Sequence, residues 1–393
     1  IIPTNTLKTF RNDSLISVIN YTNTAMGKRL LQERILHPIT NSDIIEERYN
    51  QIEELCTKND NKYKYETFEP YLMKIVDLER LHRKLSLGKL QPADFNTLDM
   101  CYNNITSIIE LLSNNEKLKN ILPDEKYITL FKEYILDYNS QFNINEIEKY
   151  HINNINNSFF IKGVNDEIDS IQENIDNIDN FFYEFAHKLS NMIENGCNFV
   201  KKEYSEKDGH FFLITSNRSK LLKNQFIVNK IDTIIIETSK KKYTIKKNEI
   251  EFKKHNNTSN VRITLPLITE LSDEVILLRS KISSVVQEAY LKKLSDFDIK
   301  YSETLDVITK FIAHIDVIKS GAKSAIKNVY CKPVINKEMK DSYFEAKNIR
   351  HPIIEKINVN EKYVPNDIKL GDKELKGMLL YGTNACGKSS LMK

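Results

Sequence analysis

Eight residues near the end of the chain have the types and spacing for phosphate chemistry. Gly382-Thr383-Asn384-Ala385-Cys386-Gly387-Lys388-Ser389 is a complete G-x-x-x-x-G-K-[ST] loop. In such a loop, backbone N–H groups cradle β- and γ-phosphates, and Lys388 reaches their oxygens. The Ser389 hydroxyl would sit on Mg²⁺, with Ser390 beside it at the start of the following helix. The ligand implied is ATP with Mg²⁺. The preceding run, Gly377-Met378-Leu379-Leu380-Tyr381, is short and apolar and predicts a buried strand leading into the loop. An ATPase also needs a downstream acidic residue for the metal and the attacking water. The sequence ends at Lys393, before any such residue. No catalytic residue can therefore be assigned. Turnover is expected of a longer parent, and residues 331–393 are expected to fold poorly alone. The first residue is Ile1, which reads as an internal start.

The other chemical signal is charge. The chain has 393 residues and a formal net charge of +3. Residues 200–265 alone hold 15 Lys and Arg against 7 Asp and Glu, so the remainder is net acidic. A basic module on an acidic chain implies a polyanionic partner at that module. Candidate phosphate contacts are Lys201, Lys202, Arg218, Lys220, Lys223, Lys241, Lys242, Lys246, Lys247, Lys253, Lys254 and Arg262. Nothing among them specifies a base-reading side chain. Eight histidines lack metal-ligand spacing, and five scattered cysteines form no C-x-x-C pair. These patterns point away from zinc sites, disulfide frameworks and Ser-His-Asp chemistry. No run of 18 apolar residues exists, so no membrane partner is expected.

The elements around these residues can be read from periodicity. Residues 10–120 are mostly helical, with breaks at Pro38, Pro92 and Pro123 and helix starts at Asn41-Ser42-Asp43 and Gln91-Pro92-Ala93-Asp94. Ile168, Ile171, Ile175, Ile178, Phe182, Phe185, Leu189 and Met192 step by three and four, a coiled-coil type seam. A second seam runs Leu271, Val275, Leu278, Ile282, Val285 and Ala289, each helix spanning about 30 residues. Between the seams, β-branched and aromatic runs at 211–215, 233–238, 242–246 and 261–265 predict four strands. Residues 301–328 return to helix, and Cys331-Lys332-Pro333 breaks it. The fold class expected is mainly α with a small β-rich insertion. It comprises a helical core (1–140), an ascending lever helix (141–199), a basic β clamp (200–265), a descending lever and core return (266–330), and the opening of an incomplete α/β ATPase domain (331–393).

In that order the residues resemble the MutS family of DNA mismatch-repair ATPases. Thr24-Ala25-Met26-Gly27-Lys28-Arg29-Leu30-Leu31 looks like the family's T-x-M-G-x-R-L-L, with His37-Pro38-Ile39 and Glu47-Arg48 following. Asp77-Leu78-Glu79-Arg80-Leu81 resembles its D-L-E-R-L element. Ile349-Arg350-His351-Pro352-Ile353-Ile354-Glu355 is similar to the R-H-P-x-x-E that opens the ATPase domain, and Tyr363-Val364-Pro365-Asn366-Asp367 to F-V-P-N-D. The resemblance implies a clamp over duplex DNA, lever helices coupling it to ATP, Tyr363 against adenine, and a homo- or heterodimer with another MutS-type subunit. It places the protein inside the cell, at DNA. The loop departs from the family's G-P-N-M-G-G-K-S, which marks a divergent branch. The family's mismatch-reading domain is not in this sequence. Two alternatives stand beside this reading: a lever-and-clamp module that holds DNA without turnover, and a coiled-coil chromosome-maintenance type ATPase. The second is disfavoured because its phosphate loop precedes its coil.

Overall fold

The computed structural model describes residues 14–205, 209–255, 259–337, 342–357, 363–371, 375–384 and 387–392. The chain divides into two compact units. One comprises Ile1–Lys89, Thr97–Ile135 and Asp298–Lys393, the other Leu90–Asn96 and Leu136–Phe297.

The first unit is built on short helices with identifiable caps. Thr24 accepts a hydrogen bond from Gly27 N to start Ala25–Leu36. Asn41 accepts from Asp43 N and Ile44 N to start Ser42–Leu55. Asp77 caps Leu78–Ser86. Pro92 opens the helix Pro92–Ser113, where a missing N–H costs nothing. Pro70, by contrast, is tolerated inside Lys64–Leu72. With no tryptophan in the chain, Tyr and Phe fill the largest core volumes. Tyr102 meets Phe131 and Tyr134 edge-on at 5.4 and 5.6 Å, and Tyr134 tilts against Tyr301.

His82 is enclosed in this core. Its ring nitrogens contact Tyr102 Oη at 2.9 Å and Thr309 Oγ1 at 3.2 Å. Burial pushes its pKa down to about 4, against the opposing charge of Asp306. A histidine held neutral in the fold but titrating near 6.5 when unfolded makes the unfolded state bind the extra proton. The contribution is fully present above pH 6.5 and is lost as pH falls toward 4. His82 alone should remove about 2–3 kcal/mol across that window. Denaturant unfolding at pH 7.5 and 5.0 should show the loss, and His82→Asn should reduce it, leaving the share of His314, whose ring is likewise pushed down to about 4. An equally steep fall in the variant would rule His82 out as its source.

In the second unit, Asp166–Ile193 forms one helix, capped by Asn165. Its seam residues Ile168, Ile171, Ile175, Ile178, Phe182, Phe185 and Leu189 are all buried, while Met192 is only half-buried. The four-stranded antiparallel sheet runs in the order Lys201–Ser205, Gly209–Thr215, Asn260–Thr264, Glu251–Lys254. A separate hairpin pairs Thr233–Glu237 with Lys242–Lys246. Two of these strands, Lys201–Ser205 and Glu251–Lys254, are Lys- and Glu-rich edges with no apolar run to announce them. Between sheet and hairpin lies a helix, Ser216–Val228, that the strand pattern does not predict. Only Ser219, Leu222 and Phe226 of it are buried, too narrow a stripe to stand out in sequence. A further aromatic cluster centres on Phe142, which meets Phe95, Phe160 and Tyr290 at 5.3, 5.2 and 5.8 Å.

The long helix corrects the expectation of two separate segments. Pro266–Asn328 is a single helix of 63 residues. No proline or glycine interrupts it before Gly321, so nothing in the backbone forces a break. Its seam also shifts. Along this stretch the buried positions include Leu271, Val275, Ile282, Val286, Tyr290, Leu294, Phe297 and Tyr301, with Leu278, Val285 and Ala289 only half-buried. Steps of four follow a straight 3.6-residue helix, whereas strict heptads require a supercoiled partner along the whole length.

Candidate nucleic-acid interface and nucleotide loop

The basic module is assembled on the Asp166–Ile193 helix. Phe212 of the sheet packs on Phe182 and Phe185 at 6.1 and 5.2 Å. Tyr243 of the hairpin lies 4.7 Å from Phe181, and Lys188 Nζ donates to the Ile235 carbonyl at 2.7 Å. Strand alternation then separates two faces. Phe212, Ile214 and Ile263 are buried on one. On the other, register aligns Lys201, Leu213, Arg262 and Lys253 in one row across four strands.

That row places Arg262 directly opposite Lys253, an arrangement that costs stability unless compensated. Arg262 stacks on the Phe211 ring at 4.2 Å, and Lys253 pairs with Glu251 at 2.5 Å, the latter pair largely exposed. The same residues line a cleft of about 760 Å³ with Lys254, His255, Thr264 and Thr269. Arg218, Lys220 and Lys223 are exposed on the Ser216–Val228 helix. Arg218 covers Phe199 and Lys223 covers Phe252. Lys241, Lys242 and Lys246 are exposed on the hairpin and Lys247 is half-buried. Lys242 pairs with Glu237 at 2.6 Å.

Lys202 has a different environment. It lies over Phe182 and pairs with Asp179 at 2.8 Å, which Arg279 also contacts at 2.8 Å. Burial raises the Asp179 carboxyl, but Lys202 and Arg279 outweigh burial and hold it below the usual carboxylate range. Nearby His210 is pushed down by burial and then by the positive charges of Lys202 and Arg279. Lys202 is thus spent on joining the sheet to its supporting helices.

The nucleotide loop is described at Gly382, Thr383, Asn384 and Gly387 through Ser390, while Ala385 and Cys386 lie outside the described residues. Gly387 has φ +93°, a left-handed conformation open to glycine. The Lys388 ammonium donates to the Gly382 and Thr383 carbonyls at 2.7 and 2.5 Å. Lys388–Met392 begins a helix containing Ser389 and Ser390. A flexible ammonium folded over a glycine-hinged loop has the donor chemistry for phosphate. The expected strand does not form. Gly377–Tyr381 is irregular, with Leu379 and Tyr381 exposed by 88% and 86%. A short apolar run needs neighbouring strands and covered faces to become a buried strand. Beyond residue 331 the only described strand pairing is Phe344–Ile349 with Asn366–Leu370. Tyr363 is half-buried just before that second strand.

Two of the short motifs meet. Arg29 bridges Asp77 and Glu79, each at 2.6 Å. Asp316, fully buried on the long helix, accepts from Asn23 N, Thr24 N and Thr24 Oγ1 at 2.8–3.0 Å. Gly27 makes room for it, since a Cβ there would collide with the Asp316 carboxylate. Buried Lys319 donates to the Tyr21 carbonyl at 2.6 Å, contacts Asn23 and pairs with Asp316 at 3.2 Å. Arg350 donates to the Asn328 and Val329 carbonyls at the end of the long helix and pairs with Glu355 at 2.6 Å. Sequence reading missed Asp316 and Lys319 because an acid and a base three residues apart on a helix look like an exposed pair.

A helical scaffold carrying a basic antiparallel β module and a terminal phosphate-type loop defines the class. MutS domain III matches residues 2–322, and the chain belongs to the MutS family. It is 28% identical to the mutS homolog of Acanthamoeba polyphaga mimivirus, covering 100% of this chain and 38% of that protein. It is also 28% identical to the mitochondrial DNA mismatch repair protein mutS homolog of Sarcophyton glaucum, covering 96% and 36%. The DNA mismatch repair protein MutS of Clostridioides difficile is 28% identical, with 98% and 36% covered. The chain therefore spans little more than a third of these relatives' lengths. Among the described residues, no helix is long and apolar enough to cross a membrane.

Proposed function

We propose that this chain is the DNA-holding part of a mismatch-repair ATPase, gripping duplex DNA by its phosphates with residues 200–265. The observation that carries the reading is the row Lys201–Leu213–Arg262–Lys253, which aligns three cations on the outer face of one sheet. Three cations on one face match the charge of an anionic backbone. The names of the relatives, all DNA mismatch repair proteins or mutS homologs, support the same reading. The partner is double-stranded DNA, read by charge and shape with little base preference. The deciding experiment is duplex binding over a salt series, in which log affinity should fall linearly with log salt. Salt-independent binding, or none at low salt, would count against it.

The loop is proposed to bind ATP through Lys388 and the surrounding backbone, with Ser389 on Mg²⁺ and Tyr363 beside the base. Bound Mg²⁺ would neutralise phosphate charge. The support is the Gly387 hinge and a Lys388 ammonium that folds back over the loop to donate to the Gly382 and Thr383 carbonyls. Lys388→Ala should weaken binding of a fluorescent ATP analogue at least tenfold, by removing a charge-assisted hydrogen bond of about 1.5–3 kcal/mol. Equal affinity would exclude a nucleotide role for Lys388. The levers would couple this loop to the DNA grip, within a dimer of MutS-type subunits acting at intracellular DNA. The runner-up is a module that holds DNA without turnover. It is favoured by the Gly377–Tyr381 run, which no described strand backs.

A further inference from the structure

The first unit contains a pocket of about 500 Å³ that neither DNA nor ATP accounts for. Its lining includes Val317, Gly321 and Ala325 of the long helix together with Leu31 and Ile52. The lining is mainly apolar, with a volume in the range of small-molecule sites. Two guanidinium groups, Arg34 and Arg48, also line it. Each is half-buried, and neither forms an ion pair among the described residues. Glu53 lines the pocket too, but pairs with Lys332 at 2.8 Å.

Two like charges at an apolar pocket require an explanation. The Arg34 Nε is buried and has no acceptor among the described residues. Burial, then the repulsion of Arg48, lowers its pKa to about 10, with Glu33 the only attraction. Neighbouring His314 also has a buried Nε2 without a partner. Burial, then Arg34 and Arg48, pushes that ring down to about 4, so it stays neutral. Leaving a buried donor unsatisfied costs stability, and an anion placed between the guanidiniums would recover it.

We propose that this pocket binds a small amphiphilic anion, its carboxylate or phosphate head on Arg34 and Arg48 and its apolar body against the long helix. The head supplies the acceptors that the described residues lack. The body lies along the apolar lining that Leu31, Val317 and Ala325 contribute. A neutral apolar molecule would leave the guanidiniums unpaired, and a plain inorganic anion would leave the apolar walls wet.

The probe is 8-anilinonaphthalene-1-sulfonate, an anionic head on an apolar body, titrated into the full chain and competed with decanoate. Saturable binding at one equivalent is expected, with decanoate displacing the dye. Arg34→Gln and Arg48→Gln should each weaken it at least tenfold. Ala325→Phe, which adds bulk from the pocket wall, should abolish it. Lys246→Gln on the hairpin should leave it unchanged. Binding that does not saturate, or that survives the arginine changes or Ala325→Phe, would overturn the proposal. So would displacement by an acidic apolar peptide but not by decanoate, which would assign the pocket to a polypeptide. Should either arginine variant fail to give a cooperative melt, Ala325→Phe decides alone.

Discussion

Replacing Asp316 with alanine will lower the unfolding free energy by about 3–5 kcal/mol, the largest single-residue loss expected in this chain. The carboxylate is fully buried and receives Asn23 N, Thr24 N and the Thr24 hydroxyl while facing Lys319. Its removal orphans two backbone donors and leaves the buried Lys319 ammonium with Glu69 at 3.7 Å as its nearest carboxylate. Burial already pulls the Lys319 pKa down, with Asp316 the main opposing influence. Asp316→Leu with Lys319→Met should recover much of the loss, because removing both charges avoids the unpaired one. Urea unfolding of the three proteins measures this. A loss under about 1 kcal/mol for the single variant would mean that water enters the site and solvates Lys319. Gly27→Ala should act at the same place, by forcing Asp316 away from Thr24.

Neutralising the sheet row will weaken DNA binding by about ten- to a hundredfold at moderate salt and lower the log–log salt slope by about 2–3. The variant is Lys201→Gln, Lys253→Gln and Arg262→Gln together. All three cations share one face, so every phosphate left without its cation retains nearly one counterion that would otherwise be released. Charge reversal at Lys241, Lys242, Lys246 and Lys247 tests the hairpin separately. Lys202→Gln should behave differently. It breaks the pair with Asp179, so it should lower stability more than it alters the salt slope. A sheet variant with the parental slope, beside a hairpin variant with a reduced one, would move the interface to the hairpin. Unchanged slopes in both would make the basic module an ordinary solvated surface.

Much of this architecture is local chemistry, and local chemistry is written in the sequence. The Ile168–Leu189 seam, the helix starts at Asn41 and Pro92, the apolar strands at 211–215 and 233–237, and the excess charge of residues 200–265 all follow from neighbouring residues. So does the glycine-hinged phosphate loop, whose residue types and spacing are contained within eight positions. What tertiary structure decided depends on residues far apart in the chain. Register put Lys201, Arg262 and Lys253, three of the twelve candidate cations, in one row, because a face is defined only once strands pair. Packing assigned Lys202 to Asp179 rather than to solvent. It buried Asp316 and Lys319 beneath a turn nearly 300 residues away, where their charges pair in low dielectric. It also left Gly377–Tyr381 without the strand conformation that its apolar residues predict. That conformation depends on hydrogen bonds from other strands, which no single segment can encode.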